Sequence, residues 1–255
     1  MGILICGVLN VNSRQREVVR LCEKYGEITI KALSDMLNVS EMTIHRDLEY
    51  LQREKYLFKK RGAAVFSGDK KSDSVDFFIE EKRSIGKKAA SMLLSGQTVI
   101  LDNSTTAIEC ARFIDDSLKL TCYTTNIEIM NILAKSKSHI VYCSGGYYFR
   151  ETGGFIGQHA ENFVENIKAD VAIIGASGIS LEHGVTNPYP MHSSLQRKII
   201  GAAKKCILLA DRSKFDRVAM EKDSDISNID TIVTDVGISE EVYNRYKEYV
   251  EIVIA

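Results

Sequence analysis

Residues 28–51 read ITIKALSDMLNVSEMTIHRDLEYL, and this stretch decides what the amino-terminal part of the chain is. Ile30, Leu33 and Leu37 recur at helical spacing, with Ala32 and Met36 beside them, so one face of a short helix is apolar. Asn38-Val39-Ser40 breaks the pattern, and Ser40 suits the cap of a following helix, where its oxygen accepts from the first turn. In that second helix Ile44, Leu48 and Leu51 form the stripe to be buried. The opposite face then carries Glu41, Met42, Thr43, His45, Arg46 and Glu49. Two amphipathic helices joined by a tight turn, about residues 30–51, predict a helix-turn-helix whose second helix lies in a DNA major groove. Such helix pairs also occur in folds that never meet DNA, so the flanking residues matter.

Lys59-Lys60-Arg61 follows the second helix, set between Leu57-Phe58 and Ala63-Ala64-Val65-Phe66. Two short apolar stretches around a basic turn with Gly62 predict a β-hairpin wing that touches phosphates. Upstream, Val18, Val19, Leu21 and Cys22 oppose Arg14, Arg16 and Arg20, which predicts a first helix from Ser13 to Tyr25, ended near Gly26. Residues 13–68 thus read as a winged helix-turn-helix. Its candidate DNA contacts are Ser40, Met42, Thr43, His45 and Arg46 on the recognition helix and Lys59, Lys60 and Arg61 on the wing. Residues 1–12 read as an amino-terminal extension, and the polar stretch SGDKKSDSVD (67–76) contains a linker over 69–76.

Charge is distributed to match. The chain carries a formal net charge of −1, but residues 13–68 hold 11 Lys and Arg against 8 Asp and Glu, and the rest holds 22 against 26. The basic excess sits with the candidate DNA motif and is small, which favours a homo-oligomer presenting several heads. No apolar run approaches a membrane span. The six Cys form no CxxC pair and the five His show no metal-ligand spacing, so reduced thiols, a cytoplasmic location and no metal or cofactor are expected.

From 77 to 255 the pattern changes to alternating helices and strands. A helix is expected over Phe77 to Leu94, with Ile79, Ile85, Ala89 and Leu93 inward. Short β-branched runs follow at Thr98–Leu101, Leu120–Tyr123, His139–Cys143, Asp170–Ile174, Cys206–Ala210 and Thr231–Thr234. Helical stretches at Ala107–Ile114, Glu128–Ala134 and Ser193–Ala203 separate several of them, and a helix (Glu240–Tyr249) and a strand (Val250–Ile254) end the chain. This predicts a mostly parallel sheet covered on both faces. Ligands of such sheets bind at the carboxyl ends of the strands. There the chain collects Asp102, Ser104, Thr105 and Thr106, then Thr125 and Asn126, then Gly145 and Gly146, then Gly175, then Lys214. Hydroxyls and free N–H groups at helix starts are what a phosphate monoester needs, although each Ser, Thr or Asn could simply cap its helix. No GxSxG, HExxH or P-loop motif is present, and no carboxylate pair is fixed as an acid/base couple, so no catalytic residue is assigned. His192, alone in a Pro-containing loop, reads as a surface residue.

The head resembles the DeoR family of bacterial transcription regulators through Arg16, the stretch Val39 to Leu48 and the Arg61-Gly62-Ala63-Ala64 wing. The remainder is similar to that family's sensor domain, in fold like ribose-5-phosphate isomerase and CoA-transferase domains. Its landmarks are Leu101-Asp102 through Thr106, Thr124-Thr125-Asn126, Gly145-Gly146, Asp211 through Phe215 and Thr234-Asp235. The resemblance implies a repressor that binds double-stranded operator DNA and answers to a phosphorylated sugar, with 77–255 as the sensing and oligomerising domain. Three positions depart from the family pattern. His45-Arg46 stands where Arg-Arg is usual, Ser104 where Gly is usual, and Gln196 where a lysine is usual. The effector therefore differs from the common ones or is held weakly. The expected function is a regulator of a sugar-metabolism operon. The alternatives are a sugar-phosphate isomerase-like enzyme with an appended DNA head, and a scaffold whose rim residues are only caps.

Overall fold

The computed structural model describes residues 13–53, 57–60, 62–66 and 78–255. The expectations for the extension 1–12, for Arg61 and for the linker 69–76 lie outside these residues. The chain divides into two compact units between Phe77 and Phe78.

In the first unit α1 (Ser13–Tyr25) leads through β1 (Glu27–Thr29) to α2 (Ile30–Leu37) and α3 (Glu41–Arg53), then to β2 (Leu57–Lys60) and β3 (Ala63–Phe66). The stripes read from the sequence meet in one core: Val18, Val19, Leu33, Ile44, Leu48 and Leu51 are fully buried there. Thr29 caps α2 by accepting from the Ala32 N–H at 3.1 Å, and Ser40 caps α3 by accepting from the Thr43 N–H at 3.2 Å. Between them Asn38 takes the left-handed conformation (φ 51°), which its short polar side chain tolerates. The wing is a three-stranded sheet in the order β1-β3-β2 rather than a lone hairpin. Three residues of β1 are too few to carry a readable alternation. Asp47 faces inward from α3 and is buried. It accepts from Arg14 Nε at 2.6 Å, Arg14 Nη2 at 3.3 Å and Gln15 Nε2 at 3.0 Å, and so clamps α1 to α3.

The second unit runs α4 (Ile79–Ala90), β4 (Thr98–Leu101), α5 (Thr105–Phe113), β5 (Thr121–Thr124), α6 (Ile127–Leu133) and β6 (Ile140–Cys143). A hairpin of β7 (Tyr147–Phe149) and β8 (Gly154–Ile156) follows, then α7 (Gln158–Glu165) and β9 (Ala169–Gly175). After β10 (Gly178–Ser180) and β11 (Gly184–Asn187) come α8 (Pro190–Ala202), β12 (Ala203–Leu209), β13 (Glu221–Ser224), β14 (Thr231–Thr234), α9 (Glu240–Tyr246) and β15 (Glu251–Ile254). Seven strands form one parallel sheet in the order β15-β14-β12-β9-β4-β5-β6. Alternate residues serve opposite faces: Val99, Leu101, Val171, Ile173, Ile207 and Leu209 pack with α4, α5 and α6, whereas Ile100, Ala172, Ile174, Cys206 and Leu208 pack with α7 and α8. α4 and α5 cross in backbone contact at Gly86, where a Cβ would stand 2.6 Å from the Cys110 nitrogen and 2.7 Å from the Glu109 carbonyl carbon.

Several boundaries differ from the sequence reading. α4 stops at Ala90 rather than Leu94, and β5 reaches Thr124, whose hydroxyl donates to the Leu101 carbonyl at 2.9 Å. β12 begins at Ala203, where α8 runs straight into the strand. α8 itself begins at Pro190, since proline's fixed φ and missing N–H suit the first helical turn. His192 is therefore a buried helix residue, not a surface one. The β7–β8 hairpin, α7 and the small antiparallel sheet β10-β11-β13 were not foreseen.

Candidate functional site

The recognition helix α3 presents Met42, Arg46 and Glu49 as exposed side chains, with Thr43 and His45 partly exposed. The Ser40 and Thr43 hydroxyls are 2.9 Å apart, so Ser40 serves the cap and orients Thr43. Asp47 is taken by Arg14 and Glu49 by Lys59 at 3.4 Å, so neither holds Arg46. On the wing Lys60 pairs with Glu27 at 3.1 Å. Such exposed pairs are worth well under ~1 kcal/mol and yield readily to a phosphate.

The second site lies where the sheet changes direction. From β4 the chain winds one way through β5 and β6, and from β9 the other way through β12, β14 and β15, so β4 and β9 flank a topological switch point. Asp102 closes this crevice at its base. Its Oδ1 accepts from the Ser104 N–H at 2.8 Å and its Oδ2 from the Gly175 N–H at 2.7 Å. Burial pushes the Asp102 carboxyl up, and the bonds from Ser104 and Gly175 and the nearby His192 pull it partly back. Ser104 Oγ accepts from the Ala107 N–H at 3.1 Å and so caps α5, which leaves the Thr105 and Thr106 N–H groups at the mouth. Lys82 reaches this mouth from α4, its Nζ donating to Thr105 Oγ1 at 2.7 Å. Lys214 ends the 3₁₀ turn Arg212–Lys214 at the carboxyl end of β12, two strands from β4, roughly 10 Å along the sheet.

The other expected ligand residues fall into bracing roles. Thr125 Oγ1 donates to Asn103 Oδ1 at 2.7 Å. Asn126 Oδ1 caps α6 through the Glu128 and Ile129 N–H groups, and its Nδ2 donates to the Thr152 carbonyl at 3.2 Å. Gly175 has given its N–H to Asp102 and its carbonyl accepts from Gln196 Nε2 at 2.6 Å; a Cβ there would stand 2.4 Å from that of Ser104. Gly145 and Gly146 follow β6, four strand steps from β12, roughly 19 Å along the sheet, so one small ligand does not span from that strand end to Lys214. Behind the crevice Asn187 Nδ2 donates to Asp223 Oδ2 at 2.8 Å, and Ser177 Oγ donates to Asn187 Oδ1 at 3.2 Å. Burial raises the Asp223 carboxyl, with Ser193, Asn187 and His192 opposing. Sequence reasoning missed Lys82 and Asp223 because neither stands near a rim motif in the chain. Among the described residues no three His, Cys, Asp or Glu gather as a metal site would require, and no helix is long and apolar enough to cross a membrane.

A winged helix with an exposed arginine on its recognition helix, joined in one chain to a parallel α/β unit, defines a DNA-binding transcriptional regulator. Residues 14–69 match the model of the DeoR-like helix-turn-helix domain and residues 78–236 that of the DeoR C terminal sensor domain. The chain belongs to the DeoR family, whose members regulate transcription, and it is not an enzyme. It is 28% identical over 239 residues to the putative aga operon transcriptional repressor of Escherichia coli O157:H7, covering 91% of this chain and 88% of that one. It is 29% identical over 240 residues to the glycerol-3-phosphate regulon repressor of Haemophilus influenzae, covering 92% and 93%. Ribose 5-phosphate isomerase A from Methanocaldococcus jannaschii superposes with a TM-score of 0.40 at 14% identity, over 54% of this chain and 55% of that one. The family resemblance and the fold class read from the sequence both hold.

Proposed function

We propose that the chain represses a sugar-metabolism operon in the cytoplasm, as a homo-oligomer whose grip on operator DNA is set by a phosphorylated sugar in the β4–β9 crevice. The observation that carries the reading is the start of α5, where the Thr105 and Thr106 N–H groups open the helix, Asp102 braces the loop before it, and the Lys82 ammonium reaches Thr105 Oγ1. A helix start with uncommitted N–H groups and a cation beside it is an anion site. The names of the two relatives, repressors of an operon and of a phosphate ester's regulon, support both halves. The effector residues narrow to Ser104, Thr105, Thr106, Lys214 and Lys82, with Asp102, Thr125, Asn126 and Gly175 shaping the crevice. A regulator needs only different effector affinities in its DNA-competent and DNA-released states. The test is a panel of sugar phosphates, by thermal shift and then by DNA titration, with NMR for products. One of them should raise the melting temperature and change DNA affinity without turnover. No shift from any member of the panel would overturn the effector reading.

A further inference from the structure

Two sides of the crevice grip the first turn of α4. On one side Lys82 Nζ donates to Thr105 Oγ1 at 2.7 Å. On the other, Arg212, in the same short turn as Lys214, pairs through Nη2 with Glu81 Oε1 at 3.0 Å. The Arg212 side chain is 19% exposed; Nη1 holds Asp235, and its guanidinium carbon lies 5.3 Å from the centre of the Phe78 ring. Its own N–H donates to Asp235 Oδ2 at 2.7 Å, so loop and side chain are fixed together. A Cβ on Gly237 would stand 2.6 Å from Arg212 Nη1, so that glycine makes room for the guanidinium. In chain order α4 is the first helix after the segment 67–77 that joins this unit to the DNA head. Adjacent residues of its first turn thus answer to the two loops that carry Thr105 and Lys214.

We propose that Glu81 and Lys82 form the latch by which effector occupancy is reported to α4, and through α4 to the DNA head. The inference rests on the phosphate reading of the α5 mouth. A phosphate dianion is a stronger acceptor for an ammonium than a threonine hydroxyl is. When it settles on the Thr105 and Thr106 N–H groups, Lys82 turns from Thr105 Oγ1 to the phosphate and draws the first turn of α4 with it. Glu81 follows on Arg212, because both residues belong to one turn. The bound state then holds that turn more tightly than the free state, which is the differential interaction that coupling requires. A pair of ordinary surface staples would instead hold α4 equally in both states.

Hydrogen–deuterium exchange of the full chain, with and without inorganic phosphate as the probe, separates the two. At about ten times the dissociation constant, bound phosphate slows opening roughly tenfold at any segment it stabilises. In the wild type the first turns of both α5 and α4 should be protected. In Glu81→Gln, which leaves every proposed phosphate contact in place, protection should persist at α5 and fall several-fold at α4. Equal α4 protection in wild type and Glu81→Gln would overturn the latch, as would α5 protection without any at α4 in the wild type. Absence of protection at α5 in the wild type would instead remove the phosphate site itself, and the latch with it.

Discussion

Replacing Asp47 by alanine should loosen the DNA head from the inside. The carboxylate is 3% exposed and accepts three hydrogen bonds, at 2.6 and 3.3 Å from Arg14 and at 3.0 Å from Gln15. A hydrogen bond to a charged group contributes about 1.5–3 kcal/mol. The Arg14 side chain is 37% exposed and can return to water, so its two bonds are discounted to about the value of one. Loss of an acceptor for the buried Gln15 amide adds roughly 1 kcal/mol. The sum is about 2–4 kcal/mol, against a total stability of about 3–8 kcal/mol for a head of this size. At about 4–8 °C per kcal/mol the head's melting transition should fall by at least about 8 °C. Thermal melting of the full chain by circular dichroism, with the sensor transition as internal reference, reads this directly. Arg14→Ala in the same background should add little, since the pair is already broken. An unchanged head transition in Asp47→Ala would refute the clamp, and additive effects of the two substitutions would refute the pairing.

Arg46→Ala should leave that transition in place and weaken operator binding by about 1–3 kcal/mol, because a bidentate arginine–guanine contact is lost; equal titration curves would remove Arg46 from the interface. Thr105→Val or Lys214→Ala should abolish the thermal shift given by the phosphorylated sugar while ligand-free DNA binding stays as in the wild type, and a retained shift in both would move the site elsewhere. Asp223 has its carboxyl raised by burial, so ionising it costs the native state, and the contribution present in acid is lost as pH climbs through the raised value. The melting advantage of Asp223→Asn over wild type should therefore grow from about pH 4 upward, and an advantage that shrinks over that range contradicts the assignment. Gly86→Ala should destabilise the sensor by about 1–3 kcal/mol through overpacking against the α5 backbone, visible as a lower denaturation midpoint.

The head was almost wholly legible in the sequence because its signals are local. Ile44, Leu48 and Leu51 announce a helix face, and Ser40 announces where that helix starts. In the sensor, runs such as VAIIG (171–175) revealed strands, since a strand buried on both faces is apolar throughout. The sequence could not show that Ser104 and Gly175, far apart in the chain, touch across the switch point. It therefore read as ligand contacts several polar groups that spend their hydrogen bonds on the protein itself. Asn126 and Thr125 are of this kind, and composition does not distinguish a brace from a ligand group. Lys82 was invisible for the opposite reason: a lysine on an amphipathic helix looks like any solvated charge until the fold sets it against Thr105.

β4 acquires its two neighbours at different times. During synthesis β5 and β6 follow within one local stretch of chain, so a three-stranded half-sheet can assemble as soon as Cys143 has emerged. The other edge of β4, at Val99, Ile100 and Leu101, must wait for Val171, Ala172 and Ile173 of β9. Until then an apolar strand edge stands open on the nascent chain, a state prone to pairing with the wrong partner. The head, whose pairings all fall between Glu27 and Phe66, can close long before. A nascent chain that ends between residues 143 and 169 thus joins a closed head to a half-sheet with an open edge, and chaperone capture over this interval keeps that edge from a wrong partner.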